Sequence, residues 1–240
     1  MSTSTTAYYD ATAARYDELH AGEKNLEHLR ALERAWSILL RHDVRSVLDV
    51  GCGTGRALRW VHDQNASIKL SGIDPSQGLL SIAMQDLPTA TLRIGTGEKL
   101  PFDNASVDVA IATGIMHHVD KPASVIAEMF RVARKAVLIS DHNNFAFNST
   151  IARRVRIALY SCGLFGIASF IKQGFRRQGY SEEDGWWYPY SLLNNHADIA
   201  RFSDEMFYIP TRSVNSATLS NFLLNQSHLA VLALKRSELP

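Results

Sequence analysis

Residues 47–55 read Val-Leu-Asp-Val-Gly-Cys-Gly-Thr-Gly, a short apolar run that passes directly into three glycines spaced by two. The apolar run predicts a buried strand, and the residues after Gly55 are expected to continue as a helix. Glycine enters positive φ without steric cost and has no side chain to hold a ligand away from the backbone. Gly51, Gly53 and Gly55 therefore predict a loop on which a ligand lies against bare main chain.

The residues around this loop indicate the charge of the ligand. Dinucleotide-binding loops follow Gly-x-Gly-x-x-Gly and hold a pyrophosphate at the start of the helix. Here the last glycine of that pattern is replaced by Arg56, whose bulk argues against a pyrophosphate. Asp49, just before the loop, would repel a pyrophosphate and suits a cationic ligand. Both residues favour S-adenosylmethionine.

Three further stretches follow the glycine loop in order. Residues 68–74 end a second apolar run in a carboxylate, residues 97–103 read Gly-Glu-Lys-Leu-Pro-Phe-Asp, and residues 106–111 form a third run that precedes His117 and His118. Together with the glycine loop, these stretches resemble the small-molecule branch of the class I S-adenosylmethionine-dependent methyltransferases. The resemblance extends over nearly the whole chain.

The resemblance implies an α/β fold with a Rossmann-like, doubly wound sheet of seven strands. The sheet is expected to be mostly parallel with an antiparallel last strand, and a helical lid is expected between strands 5 and 6. Alternating strands and crossover helices favour a parallel sheet with right-handed connections. The sequence predicts strands near 45–50, 68–73, 91–94, 107–112 and 135–140, and the runs 205–210 and 228–234 resemble the final two strands of the family.

A helix is predicted from Leu26 to Leu40, because apolar residues recur there at helical spacing. This stripe is expected to pack in the core.

The cofactor implied by the resemblance is S-adenosyl-L-methionine, which leaves as S-adenosyl-L-homocysteine. Asp74 is expected to accept both ribose hydroxyls. Many relatives bind the adenine amine through an acidic residue two positions before Glu98, but this chain has Thr96, and a neutral acceptor is roughly half as strong as a charged one. A solvated turn remains an equal interpretation for Glu98. The expected cofactor-binding residues are Tyr8, Tyr16, Asp49, Gly51, Cys52, Gly53, Gly55, Asp74, Pro75, Ser76, Gly97, Glu98 and Thr113.

Composition, with a formal charge of +1, indicates one soluble domain, and the resemblance implies that residues 1–240 form a single methyltransferase domain. Residues 1–25 are expected to fold over the cofactor, and residues 142–200 to form the substrate lid. No apolar run is long enough for a membrane span, and the polar start lacks the blocks of a signal peptide, so a cytoplasmic monomer or homodimer is expected. Cys52 and Cys162 form neither a metal quartet nor a disulfide framework, and no metal is expected.

The predicted lid has an unusual charge distribution. Residues 142–181 contain no Asp or Glu. Such a segment favours an anionic substrate or peripheral contact with an anionic membrane, while a solvated basic face remains open. The basic residues of this segment are Arg153, Arg154, Arg156, Lys172, Arg176 and Arg177.

Methyl transfer to an alcohol oxygen requires a base, and histidine has a suitable pKa. We predict His118 as the first candidate, then His142, then His117, because all three follow strand ends at the carboxyl edge of the sheet. A structural role in the loop is the rival interpretation for each histidine. The predicted substrate-contacting residues are Asp141, Asn143, Arg153, Tyr188 and Tyr190.

These features predict O-methylation of a small, anionic biosynthetic intermediate such as a sugar derivative. One alternative is methylation of RNA or protein, although the charge of +1 gives little support for a polyanion partner, and no specific nucleic acid is expected. Another alternative is a cofactor-binding scaffold without catalysis.

Overall fold

The computed structural model describes residues 3–19, 23–146, 149–182, 184–211 and 226–236. Its centre is a seven-stranded sheet in the order β3-β2-β1-β4-β5-β9-β8. The strands of this sheet are β1 (Ser46–Val50), β2 (Lys69–Asp74), β3 (Thr91–Ile94), β4 (Val107–Thr113), β5 (Ala133–His142), β8 (Ser203–Pro210) and β9 (His228–Lys235).

Strand direction in this sheet matches the prediction. β1 to β5 pair in parallel, whereas β9 pairs antiparallel with both β5 and β8. β8 therefore runs in the same direction as β1 to β5, and only the last strand is reversed among the described residues. The Rossmann-like fold with an antiparallel last strand is confirmed.

Helices cover both faces of the sheet. One core packs around β4, β5 and the helix α6, and the other packs around β1 and the helices α3 and α4. Because both faces are covered, β1 is buried along its whole length and β4 along all but its last residue, as expected for a parallel sheet. The helices are α1 (Thr3–Thr12), α2 (Tyr16–Leu19), α3 (Glu23–Leu39), α4 (Arg56–Gln64), α5 (Gln77–Asp86), α6 (Pro122–Val132), α7 (Thr150–Ser161), α8 (Phe165–Lys172) and α9 (His196–Ala200).

The predicted burial of the apolar stripe on α3 holds in the middle of the stripe but not at its two end residues. Leu32, Trp36 and Leu39 are buried, but Leu26 and Leu40 are exposed. The α-helix ends at Leu39, and Leu40 begins a 3₁₀ turn that points its side chain outward. Helical spacing predicts a face only while the helical geometry continues.

The segment between β5 and β8 contains α7, α8 and α9, together with a two-stranded hairpin of β6 (Gly179–Ser181) and β7 (Gly185–Trp187). The hairpin contacts α1 at the opposite end of the chain. The proposed domain division, with a covering segment in residues 1–25 and a lid in residues 142–200, stays a prediction. The described residues contain no helix with the length and apolar character needed to cross a membrane.

Candidate functional site

The glycine loop between β1 and α4 adopts the backbone that its sequence predicts. Gly51, Gly53 and Gly55 have φ of +76°, +53° and +82°, all in the left-handed region. A Cβ atom on Gly51 would lie 2.4 Å from Cγ2 of Ile115, so that position also lacks room for a side chain. Conformation and space together explain the glycine at position 51.

Asp49 lies at the end of β1, beside the loop, and is almost completely buried. Its Oδ1 atom is buried and has no hydrogen-bond partner among the described residues. Burial, aided by the nearby Asp74, raises the pKa of Asp49 to about 8. A buried carboxylate without a partner is costly, and a cationic ligand group would offset that cost.

Asp74 closes the loop from the end of β2. Its carboxylate accepts hydrogen bonds from the backbone N–H groups of Gly53 (2.9 Å) and Ser76 (2.8 Å). Burial raises the pKa of Asp74 to about 6, while these two donors oppose the shift. Because each carboxylate oxygen can accept more than one hydrogen bond, Asp74 keeps acceptor capacity for a diol.

The N-terminal segment lies over the glycine loop. The hydroxyl of Tyr16 is 3.8 Å from the position that a Cβ on Gly53 would occupy. Thr54 donates a hydrogen bond to Asp17, at 2.9 Å. Asp10 accepts hydrogen bonds from the Ser76 hydroxyl and from the N–H of Gly78, so the segment is fastened to α5 as well.

Other predicted cofactor residues have different positions. The Cys52 side chain packs in the core beneath β1 and β2, against Gly72, so only its backbone borders the loop. Tyr8 lies against Gly185 of the hairpin, and its hydroxyl donates to the carbonyl of Glu182. The remaining predicted cofactor residues are half-buried. Pro75 follows the carboxyl end of β2, Gly97 and Glu98 follow that of β3, and Thr113 is the last residue of β4.

A histidine and a carboxylate pair at the ends of β4 and β5. Nδ1 of His117 donates to Oδ1 of Asp141 at 2.7 Å, and both side chains are buried. Burial disfavours the imidazolium, but the Asp141 carboxylate outweighs it and raises the pKa of His117 above its ordinary value. Nε2 of His117 is buried and has no hydrogen-bond partner among the described residues. This nitrogen can therefore accept a proton from a ligand.

His118 holds neighbouring elements together. Its Nδ1 faces the carbonyl oxygen of Trp186 at 2.8 Å and must donate, because a carbonyl only accepts. Its Nε2 is 2.8 Å from the hydroxyl of Tyr9. His118 thus links α1 and the hairpin to the end of β4.

Three more histidines extend the cluster. The ring of His142 stacks on His117 with centroids 4.0 Å apart, and it contacts His228 edge-on. Burial, together with His117, lowers the pKa of His142 well below its ordinary value. His28 contacts His228, and burial with that neighbour lowers the pKa of His28 to about 3. His142 and His28 are therefore neutral near pH 7, and His117 is the most basic of His28, His117 and His142.

Asp184 approaches the same cluster from the hairpin. One potential ligand atom each from His117, His142 and Asp184 lies within 4.8 Å of the others. Among the described residues, this is the group that could hold a metal ion. The expectation of a metal-free site stays a prediction.

The predicted substrate residues separate into two groups. Asp141 and Asn143 are completely buried, and Asn143 accepts hydrogen bonds from Phe145 and Ser191. Tyr190 is also buried and donates to Asn195. These side chains support the site, whereas half-buried Tyr188 lines an adjacent cavity and half-buried Arg153 lies on α7.

This cavity, of about 520 Å³, lies between α8 and residues 188–195. The N–H of Tyr188 donates to the carbonyl of His117 at 2.7 Å, so one wall of the cavity adjoins the histidine cluster. Val119 and Asp120 form the wall nearest His118. The remaining lining includes Tyr160, Phe165, Phe170, Gln173, Arg176 and Arg177.

Comparison with known proteins identifies the family. A family model described as a methyltransferase domain matches residues 48–139, which contain the glycine loop, Asp74 and His117. Residues 48–139 therefore form a methyltransferase domain of the class I S-adenosylmethionine-dependent type. The match ends within β5, so the methyltransferase family model does not include α7, α8 or the hairpin.

Curated relatives of this methyltransferase match it over part of their length. An uncharacterised methyltransferase of Mycobacterium tuberculosis is 34% identical over 96 residues, covering 40% of this chain and 38% of the relative. A ubiquinone/menaquinone biosynthesis C-methyltransferase of Campylobacter jejuni is 26% identical over 141 residues, covering 55% of this chain and 59% of the relative. The chain thus spans about two fifths to three fifths of these relatives.

A solved structure supports the methyltransferase fold over nearly the whole chain. It is a methyltransferase of Thermotoga maritima described as a possible histamine N-methyltransferase. Its TM-score is 0.60 at 15% identity, with 97% of this chain and all of that chain covered. At this identity the likeness concerns the fold alone.

The glycine loop and its neighbours fit S-adenosylmethionine. The loop offers bare backbone, Asp49 offers a buried acceptor with no partner in the described part of the chain, and Asp74 offers a carboxylate for a diol. A cation suits both carboxylates better than a pyrophosphate would. The side chains around the loop therefore suit the cofactor that the matched methyltransferase family uses.

Several contacts were missed by the sequence reasoning. Tyr9 at His118, Asp17 at Thr54 and Asp184 at the histidine cluster come from segments far away in the chain. Asp10 and Asp17 each directly follow a tyrosine in the stretches predicted to cover the cofactor, so their sequence positions carried a signal. Asp184 lies in an aromatic stretch without a motif, and its sequence carried none.

Proposed function

We propose that this methyltransferase transfers a methyl group from S-adenosylmethionine to an oxygen of a small molecule. The observation that carries the proposal is the His117–Asp141 pair, with a buried Nε2 that has no partner among the described residues. When bound, the cofactor supplies an activated methyl group on its sulfonium. Asp49, Asp74 and the glycine loop would hold it.

His117 would act as the general base. Asp141 fixes its tautomer by accepting from Nδ1, so Nε2 carries the lone pair that would take the acceptor's proton. The raised pKa of His117 keeps the proton there after transfer. His118 was ranked first from sequence, but its two ring nitrogens already contact Trp186 and Tyr9. His118 would therefore position the covering segment.

The acceptor would occupy the cavity next to His117. Its volume of about 520 Å³ suits a small molecule, since ligand pockets are of a few hundred Å³ or more. Arg176 and Arg177 supply positive charge to its lining, and Arg177 also pairs with Asp120 at 3.2 Å. A small acceptor with a negative group and an apolar part, such as an acidic sugar derivative, fits this lining best.

Methylation at carbon is a second candidate, supported by the C-methyltransferase name of the Campylobacter jejuni relative. An acidic carbon also loses a proton when it is methylated, so His117 would serve either reaction. The product separates them, because an O-methyl and a C-methyl group differ in their carbon-13 chemical shifts.

The test begins with calorimetric titration of S-adenosylhomocysteine, with NAD as the control ligand. Binding of S-adenosylhomocysteine alone is expected. The next step screens small hydroxylated and carboxylated acceptors for transfer of labelled methyl from S-adenosylmethionine. Transfer that requires His117 supports the proposal. Cofactor binding without transfer to any acceptor, RNA and protein included, would favour the scaffold alternative, and transfer to RNA or protein alone would overturn the small-molecule substrate.

A chelator tests the alternative use of the histidine cluster. Transfer is expected to survive dialysis against EDTA, because the proposed base needs no metal. Loss of transfer on dialysis, with recovery on adding one divalent metal, would assign His117, His142 and Asp184 to an ion instead.

A further inference from the structure

The two helices α7 and α8 expose aliphatic side chains. Ile151 and Val155 on α7 are 75% and 53% exposed, and Ile167 and Ile171 on α8 are 61% and 57% exposed. Each pair is four residues apart, so each pair lies on one side of its helix. Leu164, Phe170 and Phe175 extend the same exposed apolar set.

The inner sides of these helices carry polar and aromatic groups. Ser169 of α8 and Gln173, which directly follows α8, line the cavity, and Oε1 of Gln173 is buried without a partner among the described residues. Tyr160 of α7 stacks on Phe165 of α8 with ring centroids 4.1 Å apart. A surface helix of a globular protein normally turns its apolar side inward. In α7 and α8 the strongly aliphatic side faces outward, which marks an interaction surface.

The charge of this surface indicates what it binds. Arg154, Lys172 and Arg176 are exposed along the helices and the turn that follows α8. Residues 142–181 contain no acidic residue. Arg177 is paired with Asp120, and Arg156 donates to the carbonyl of Asn144, so those two charges serve the fold. The outer face thus combines aliphatic side chains with exposed positive charge that pairs with no acidic side chain among the described residues.

We propose that the outer face of α7 and α8, defined by Ile151, Arg154, Val155, Ile167, Ile171 and Lys172, docks on the surface of an anionic lipid bilayer. Aliphatic side chains that enter the acyl boundary and basic side chains that meet anionic headgroups are the two components of interfacial helix binding. A second copy of the chain fits this face less well, because it would bring two basic surfaces together. The inference goes beyond the proposed reaction.

Vesicle co-sedimentation with the full chain tests this docking. Phosphatidylcholine vesicles are compared with vesicles that contain one quarter phosphatidylglycerol. We expect binding to the anionic vesicles that weakens as salt increases, and little binding to the neutral ones. The double variant Ile167→Glu/Ile171→Glu should weaken binding by about tenfold or more, because each change removes an inserted aliphatic group and adds negative charge.

A matched control uses exposed apolar residues elsewhere. Leu40 is 66% exposed and Met84 is 44% exposed, and both lie outside α7 and α8. Leu40→Glu/Met84→Glu makes the same change of net charge and should bind anionic vesicles almost as well as the wild type. Arg154→Gln/Lys172→Gln tests the charge component and should weaken binding by about fivefold for each charge removed.

Three results would overturn the proposal. Equal binding to neutral and anionic vesicles would remove the charge argument, and equal losses in the Glu variants at both locations would remove the assignment to α7 and α8. A solution dimer that the Ile167→Glu/Ile171→Glu variant converts to monomer would assign the face to a second copy.

Circular dichroism melts check that each variant is folded. Vesicle binding by His117→Gln should equal wild type, which separates failure of docking from failure of the proposed reaction.

Discussion

The glycine-loop region and the α7–α8 pair differ in how their side chains are used. Around the loop, the buried Asp74 carboxylate accepts backbone N–H groups, and positive φ occurs where glycine allows it. In α7 and α8 the inner side carries polar and aromatic groups, and the outer side is aliphatic. Gly163 between these helices also has positive φ, but a Cβ there would meet nothing within 4 Å.

This difference separates two kinds of constraint. A ligand that lies against the backbone requires accurate positions for the loop atoms. The backbone φ and the room left for a side chain therefore restrict the same residues. An interaction surface on exposed helices requires only a pattern of residue types. The family model accordingly includes the loop and ends before the helix pair. The four predictions below test this contrast.

The largest expected effect concerns the proposed base. His117→Gln should lower the rate of methyl transfer by about 10²- to 10⁴-fold, because no base then takes the proton of the substrate hydroxyl in the transition state. S-adenosylhomocysteine affinity by calorimetry should not change. In wild type the rate should rise with pH as His117 loses its proton.

Two variants control this prediction. His118→Gln removes a neighbouring ring that holds Tyr9 and Trp186, and it should act mainly on KM or on melting temperature. Asp141→Asn should move the rising limb of the pH profile to lower pH, because the carboxylate raises the pKa of His117. An unshifted limb in Asp141→Asn would contradict the assigned pair.

Gly51→Ala compared with Gly163→Ala measures the contrast directly. Both positions have positive φ, which costs a non-glycine residue about 1 to 2 kcal/mol. At Gly51 the new methyl also overlaps Ile115, which adds about 1 to 3 kcal/mol. Urea unfolding should therefore show the larger loss of stability for Gly51→Ala. Equal losses would mean that space does not matter at the loop.

Asp74→Ala should weaken S-adenosylhomocysteine binding by about 1 to 3 kcal/mol if its carboxylate bonds the ribose. The loss arises because the ribose hydroxyls lose a charged acceptor. Calorimetry at constant pH provides the measurement, and circular dichroism checks the fold, because Gly53 and Ser76 also lose an acceptor. An unchanged affinity would remove Asp74 from the cofactor site.

The smallest effect concerns the pH dependence of stability. Asp49 has a pKa of about 8 when folded and near 4 when unfolded, so the unliganded chain loses stability as pH rises from about 4 to 8. Asp49→Asn removes this loss. The melting temperature of Asp49→Asn minus that of wild type should therefore be larger at pH 8.5 than at pH 6, by about 2 to 5 °C.

Asp108→Asn is the matched control for this pH prediction. Burial would raise the pKa of Asp108, but Arg45 and Arg134 lower it, so this carboxylate is already ionised at pH 6. Its stabilising effect is lost only as pH falls through that lowered pKa. The melting difference for Asp108→Asn should therefore be the same at pH 6 and pH 8.5. A constant difference for Asp49→Asn as well would contradict the raised pKa.

The sequence by itself determined the positions of the strands along the chain, the glycine loop and the two carboxylates at Asp49 and Asp74. Local chemistry sets these features, because a strand followed by three glycines permits few conformations, and a carboxylate at a strand end faces the ligand edge of a parallel sheet. The aromatic stretch around Tyr16 also indicated a segment near the glycine loop, and the Tyr16 hydroxyl lies close to Gly53.

Only the tertiary structure decided which side of α7 and α8 faces outward, and which histidine has a ring nitrogen without a hydrogen-bond partner in the described part of the chain. His117 and His118 are adjacent in sequence, yet Asp141 contacts one ring and Tyr9 and Trp186 contact the other. The spacing on α7 and α8 defines an apolar side, but the orientation of that side depends on what the rest of the chain packs against. Both outcomes depend on contacts between distant segments, and folding alone brings those segments together.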